Sequence, residues 1–218
     1  MVAAVVFDMD GVIVDTEQYW VEAEGSILDA ALPAGHDVDP HDITGINVHD
    51  QYDMLAAEYE MQVDREEYFD GFDSRAEGVY ERAALMPGFH ALLDALRERR
   101  CALGLCTSSY PRWIDIVFET HDLDGRFDEV LSAADLSVPG KPEPAVYETI
   151  AERLGVAPAE MVVVEDSANG VAAAAASGAY TIAYAANAPD GTNHSPADEV
   201  LSDPAALRDR LLALVDGE

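Results

Sequence analysis

Two aspartates one residue apart, Asp8 and Asp10, stand at the end of an apolar run, Val2–Phe7, and are followed by Gly11. Carboxylates this close can hold a hard cation, exchange protons with a substrate or attack an electrophilic centre. The same residue types also build solvated turns. Three later segments bear on the choice. Thr107-Ser108-Ser109 follows a second apolar run and offers hydroxyls and backbone N–H groups that can cradle a phosphoryl oxygen or simply cap a helix. Gly140-Lys141-Pro142 holds a lysine, a compact point charge suited to phosphate, in what is otherwise a surface-loop composition. Lys141 is the chain's sole lysine; the other eleven of its 12 basic residues are arginines. Glu165-Asp166-Ser167-Ala168-Asn169-Gly170 follows a third apolar run, Met161–Val164. Asp166 or Ser167 can cap the alanine-rich helix that Gly178 closes, or one or both acids can face a cation. Neighbouring side chains on a strand point oppositely, so the two acids differ in role.

The elements that must bring these segments together are visible in the hydrophobic pattern. Apolar strands are predicted at 2–7, 101–106, 129–132, 161–164 and 180–184, with a short last one at 199–201. Amphipathic helices are predicted over 88–100, 110–121, 142–154 and 203–215, so strand and helix alternate. That alternation predicts an α/β fold with a doubly wound parallel sheet, whose ligand crevice lies at the carboxyl ends of the strands. Residues 16–86 break the pattern. Thr16 is the predicted N-cap of a helix with Trp20, Ala23, Ile27 and Ala31 on one stripe, stopped by Pro33-Ala34-Gly35. Asp53–Met61 and Asp64–Leu85 are predicted as further helices, the last weakened by Gly71 and Gly78. The expected division is therefore a core of residues 1–15 and 87–218 with an all-helical lobe, 16–86, inserted after the first strand.

The 218 residues carry 43 acidic and 12 basic groups, a formal net charge of −31. A charge of that sign argues against nucleic acid as a partner, since phosphates need a basic footprint. The acid is spread evenly, and 49% of residues are hydrophobic, enough for a real core and too many for an acidic disordered tail. Self-repulsion on this scale destabilises a compact state unless salt screens it, which points to a concentrated-salt interior such as that of salt-loving archaea. Cys101 and Cys106, five residues apart on one predicted strand, would lie about 17 Å apart on opposite faces, beyond the roughly 7 Å a disulfide spans. No signal peptide or long apolar run is visible, so a soluble cytoplasmic protein is expected, with no membrane partner. No feature fixes an oligomeric state.

Taken in order and spacing, the four segments resemble the haloacid dehalogenase-like hydrolases over nearly the whole core. The insertion, opening Asp15-Thr16-Glu17-Gln18-Tyr19-Trp20, is similar to the helical cap of the subgroup containing β-phosphoglucomutase and small sugar-phosphate or phosphoglycolate phosphatases. The resemblance implies that Asp8 is the nucleophile, forming an aspartyl-phosphate, and Asp10 the general acid and base. It implies Mg²⁺ held by Asp8, the Asp10 backbone carbonyl and Asp166, with Glu165 assisting. Thr107, the Ser108 N–H and Lys141 would grip the phosphoryl group, the lysine also pairing with Asp8. True dehalogenases of the family lack an acid at the position of Asp10, so phosphoryl transfer is implied. The mutase carries an arginine in its cap loop and a histidine early in the first cap helix, where this chain has Val48, within Gly45-Ile46-Asn47-Val48-His49, and Tyr19-Trp20. That favours a Mg²⁺-dependent phosphatase acting on a small phosphorylated metabolite, with the sugar-phosphate mutase as the alternative. Asn47, His49 and Trp20 are candidate specificity residues, although Trp20, Tyr19 and Tyr52 also suit a cap core, and Arg112 suits a surface ion pair. The histidines at 36, 41, 49, 90, 121 and 194 show no metal-ligand spacing. A receiver module shares these residue types but has its phosphorylated aspartate mid-domain and lacks the insertion. The intact constellation argues against an idle binding scaffold.

Overall fold

A computed structural model describes residues 2–40, 43, 46–136, 139–189 and 191–218; the loop residues His41 and Gly45 named above lie outside them. Strand β1 (Ala4–Phe7) and a two-residue β2 (Val14–Asp15) lead into three helices, α1 (Glu17–Ala31), α2 (Val48–Glu58) and α3 (Arg65–Tyr80). The chain returns through β3 (Ala84–Leu85). Then α4 (Phe89–Glu98), β4 (Ala102–Thr107), α5 (Pro111–His121), β5 (Glu129–Ser132), α6 (Ala145–Leu154), β6 (Met161–Glu165), α7 (Ala168–Ser177), β7 (Tyr180–Tyr184), β8 (Glu199–Leu201) and α8 (Pro204–Asp216) follow.

The expected doubly wound sheet is present: six parallel strands in the order β5-β4-β1-β6-β7-β8. Its centre is apolar because it is covered on both faces, and strand alternation splits the side chains between them. Val5, Phe7, Leu103, Leu105, Val162 and Val164 belong to one buried cluster, which continues into Leu92 and Leu96 of α4 and Leu207 and Leu211 of α8. Ala4, Val6, Cys106, Met161 and Val163 belong to the other, packed on Val146, Tyr147 and Ile150 of α6 and Ala173 and Ala174 of α7. Each fully buried aliphatic side chain contributes about 1.5–3 kcal/mol. Cys101 and Cys106 fall in opposite clusters, both as free thiols.

The insertion differs in detail from its sequence pattern. The second helix runs Val48–Glu58 instead of 53–61, because Asn47 Oδ1 accepts the His49 N–H at 3.0 Å and starts it early, while Tyr59 turns extended. The third stops at Tyr80 instead of Leu85, since Ala84–Leu85 pairs antiparallel with Val14–Asp15. Two-residue strands carry no period to read. Asp64 forms a reciprocal capping box with Glu67. Thr16 occupies the N-cap position of α1, but its side chain makes no capping bond and is spent elsewhere.

Candidate active site

Strand register assembles the site. Phe7 lies beside Leu105 on one side and Val164 on the other, so the next residues, Asp8, Cys106 and Glu165, emerge side by side at the carboxyl edge. Thr107 ends the neighbouring strand β4, and Lys141 reaches in from the loop before α6. Asp8, Thr107, Ser108, Lys141 and Asp166 line one cavity of about 290 Å³, together with Asp10.

Lys141 Nζ donates to Asp8 Oδ1 at 2.7 Å and to Glu165 Oε1 at 2.5 Å. Glu165 is wholly buried and fully engaged: Tyr147 Oη donates to Oε1 at 2.6 Å, while the N–H groups of Asp166 and Ser167 and the Ser167 hydroxyl donate to Oε2. One ammonium thus serves a group of buried acids. Burial, abetted by the charges of Glu165 and Asp10, raises Asp8 to about 8 against the pull of Lys141. Burial raises Asp166 well above the usual carboxylate range, and Glu165 and Asp8 add to it. Burial would lower the Lys141 pKa, but the carboxylates of Asp8 and Glu165 hold it above its ordinary value.

Asp10 faces the other way. Thr16 Oγ1 donates to Asp10 Oδ1 at 2.8 Å, which is where the expected helix cap goes. Ser109 Oγ donates to Oδ2 at 2.6 Å, and Tyr80 Oη, at the end of α3, lies 3.4 Å from the same oxygen and 3.1 Å from Ser109 Oγ. Burial raises the Asp10 pKa, and the bonds from Ser109, Thr16 and Tyr80 oppose the rise by favouring the carboxylate. Thr107 Oγ1 accepts the Ser109 N–H at 3.1 Å, ordering the loop that carries Ser109.

Carboxylate oxygens of Asp8, Glu165 and Asp166 lie within 4.8 Å of one another, a hard-oxygen donor set that fits a divalent cation. The surplus negative charge expressed in the raised Asp8 and Asp166 values is what such an ion would neutralise. The backbone is shaped around these acids. A Cβ on Gly11, whose φ is +74°, would stand 1.8 Å from Asp166 Oδ2, and one on Gly170 would stand 2.0 Å from the Glu165 carboxyl carbon.

The lobe supplies the cavity's far wall. Trp20 and Asn47 line it with Glu17, Glu24 and Phe72. Trp20 packs on Phe72 at 5.8 Å, on Tyr80 at 5.7 Å and on Trp113 of α5 at 5.2 Å, joining the lobe to the sheet layer. His49 does not line this cavity. It stacks on Phe69 and borders a neighbouring recess with Asn47, Ser108 and Lys141. Arg112 is bound to Asp73, which also accepts from Trp113 Nε1 at 3.0 Å.

Several contributors were not found from sequence. Tyr80 and Tyr147 were indistinguishable from core aromatics. The segment after β7 has no hydrophobic period, yet Asn187 Nδ2 donates to the Gly11 carbonyl at 3.1 Å, His194 Nε2 lies 2.5 Å from the Asp166 carbonyl, and Pro189 and Thr192 line the cavity.

A profile described as haloacid dehalogenase-like hydrolase matches residues 2–178. Hexitol phosphatase B of Escherichia coli is 30% identical over 209 residues, covering 93% of this chain and 87% of that protein. A phosphorylated carbohydrates phosphatase of Thermotoga maritima is 32% identical over 177 residues, covering 80% and 81%. Among solved structures, β-phosphoglucomutase from Clostridium difficile superposes with a TM-score of 0.81 at 21% identity, covering 100% of this chain and 98% of that one. CbbY from Rhodobacter sphaeroides, in complex with phosphate, gives 0.81 at 21%, covering 95% and 96%. At such identity these superpositions speak to fold alone.

Proposed function

Because the chain belongs to the haloacid dehalogenase-like hydrolases and is a phosphoric monoester hydrolase, we propose that it is a Mg²⁺-dependent phosphatase of a small phosphorylated carbohydrate, working through an aspartyl-phosphate on Asp8. The observation that carries this reading is the meeting of Asp8, Thr107, Lys141 and Asp166, from four distant segments, around one cavity. The phosphatase names of the relatives point the same way. We take residues 1–15 and 87–218 as the chemical core and 16–86 as the cap. We also place the protein in the cytoplasm, a reading supported by its two buried free thiols. Among the described residues no helix is long and apolar enough to cross a membrane.

In this mechanism Asp8 attacks phosphorus as the alcohol leaves, and Asp10 protonates the leaving oxygen. Asp10, now a carboxylate, then takes a proton from the water that opens the aspartyl-phosphate. Thr107 and the Ser108 N–H hold the phosphoryl oxygens, and Lys141 orients Asp8 while adding positive charge. Mg²⁺, held by Asp8 and Asp166 with Glu165 fixed behind them, would supply the charge that ionises those acids and offsets the phosphoryl group's own. Glu165 acts chiefly by positioning Lys141 and the Asp166–Ser167 turn, since both its oxygens are already engaged.

The test is phosphate release from a panel of phosphorylated metabolites with Mg²⁺ in molar KCl, with Asp8→Asn as control. Turnover should fall at least about 1,000-fold in the variant with the circular dichroism spectrum unchanged, and acid quenching of wild type should trap a phosphoryl group on Asp8. Near-wild-type turnover by Asp8→Asn would overturn the assignment. Isomerised sugar phosphate in place of free phosphate would establish the mutase instead.

A further inference from the structure

Strands β7 and β8 run parallel, so the chain must travel back along the sheet between them. The described residues of that connection, 185–198, form neither helix nor strand. Irregular connections of this length are uncommon and mostly functional. Both ends are rooted in the sheet: the Ala185 N–H donates to the Leu201 carbonyl at 2.8 Å, and the Asp198 N–H to the Thr181 carbonyl at 2.9 Å.

Between those roots, two of the described hydrogen bonds leave the segment. Asn187 Nδ2 donates to the Gly11 carbonyl at 3.1 Å, and His194 Nε2 meets the Asp166 carbonyl at 2.5 Å. A carbonyl only accepts, so the His194 ring carries a hydrogen on Nε2. The remaining bonds turn inward: Thr192 Oγ1 donates to the Pro189 carbonyl, the Ala197 N–H to the His194 carbonyl and the Ser195 N–H to Asn193 Oδ1.

Both outward contacts land on the turns that carry the acids. Gly11 belongs to the turn after β1 and Asp166 to the turn after β6. The Asp8 N–H still donates to the Val164 carbonyl at 2.9 Å, but past that point none of the described backbone bonds joins residues 9–12 to residues 166–167. The two turns nevertheless touch, since a Cβ on Gly11 would stand 1.8 Å from Asp166 Oδ2. A shift in either turn therefore moves the Asp166 carboxylate relative to Asp8. Asn187 and His194 hold both turns from a single segment. Neither lines the cavity, so they act through the acids and not on the substrate.

Resting on the reading that a divalent cation sits at Asp8 and Asp166, we propose that Asn187 and His194 are positioning residues for that cation. Their segment is a strap that fixes the two turns whose separation sets the size of the oxygen-lined site. Groups that orient metal ligands from behind are commonly worth about 10–100-fold in metal affinity.

Mn²⁺ is the probe, a hard ion that takes the same oxygen ligands. Its binding is read from the loss of the free-ion electron paramagnetic resonance signal in molar KCl, with Asp166→Asn reporting what the acidic surface alone retains. Asn187→Ala and, separately, His194→Ala should each raise the Kd of the Asp166-dependent site by about tenfold or more. The Mg²⁺ concentration giving half-maximal phosphate release should rise in proportion. His194→Gln, whose side-chain amide can donate to the same carbonyl, should bind within about threefold of wild type. Two positions are used so that a folding failure at one leaves the other. An unchanged Kd in either folded alanine variant, or a loss in His194→Gln equal to that in His194→Ala, would overturn the strap while leaving the cation site standing. Wild type binding no more Mn²⁺ than Asp166→Asn would remove the cation reading and the strap with it.

Discussion

Asp10 is gripped by hydroxyls from three parts of the chain: Thr16 at the root of α1, Ser109 after β4, and Tyr80 at the end of α3. Each favours its ionised form, so removing one raises its pKa further. With p-nitrophenyl phosphate, whose leaving group needs no proton, only the basic form of Asp10 matters. Ser109→Ala should therefore move the acid limb of the kcat profile to higher pH, and lower kcat near that limb by about tenfold, the worth of one buried hydrogen bond to a charge. An unmoved limb would show that Ser109 does not set the protonation of Asp10. A second prediction concerns Asp166, whose folded-state pKa lies above its unfolded value. Such a group contributes stability below the unfolded pKa, near 3.8, that is lost as pH rises through the folded value. In EDTA, Asp166→Asn should thus melt higher than wild type by a margin that grows with pH. Adding Mg²⁺ should raise the Tm of wild type and do little for the variant. Gly11→Ala, by driving a methyl group into the Asp166 carboxylate and straining a positive φ, should abolish the Mg²⁺-induced rise as well.

At the level of elements, legibility followed periodicity. The parallel strands could be found because burial on both faces makes them apolar throughout, and the acids at their ends could be found because they interrupt that run. Register then placed Asp8 beside Glu165, a neighbourhood that periodicity does not encode and only the family resemblance implied. The β2–β3 pair was invisible because two residues make no pattern, and the segment holding Asn187 and His194 because its role rests on contacts to carbonyls of Gly11 and Asp166, distant in sequence. Thr16 holds the expected N-cap position, but a threonine before a helix is equally fit to cap it or to reach a neighbouring carboxylate, and its hydroxyl does the latter. The capping box of α3 gives an element-scale test. Asp64→Ala should cost about 1 kcal/mol, lowering Tm by about 2–4 °C, with kcat unchanged because Asp64 touches nothing in the cavity.

For the whole molecule, charge dominates. Among the described residues only Asp8, Glu24 and Glu165 of the acidic residues are almost wholly buried, with Asp10 and Asp166 half-buried beside Asp8, so most of the net charge of −31 is carried at the surface. We propose on this ground that the fold is tuned to concentrated salt. Tm should climb steadily from dilute buffer to molar KCl, where the screening length shortens to about 3 Å. A flat Tm over that range would reject the idea. A last consequence lies in the antiparallel pair Val14–Asp15 and Ala84–Leu85, which sets the two ends of the helical insertion against each other. A host that closes its own doorway in this way can exchange the room beyond it. A foreign helical segment spliced between Asp15 and Ala84, if it keeps hydroxyls where Thr16 and Tyr80 meet Asp10, would leave the hydrolytic chemistry with the recipient and bring its donor's taste in substrates, making that seam a natural cut point for building chimeras.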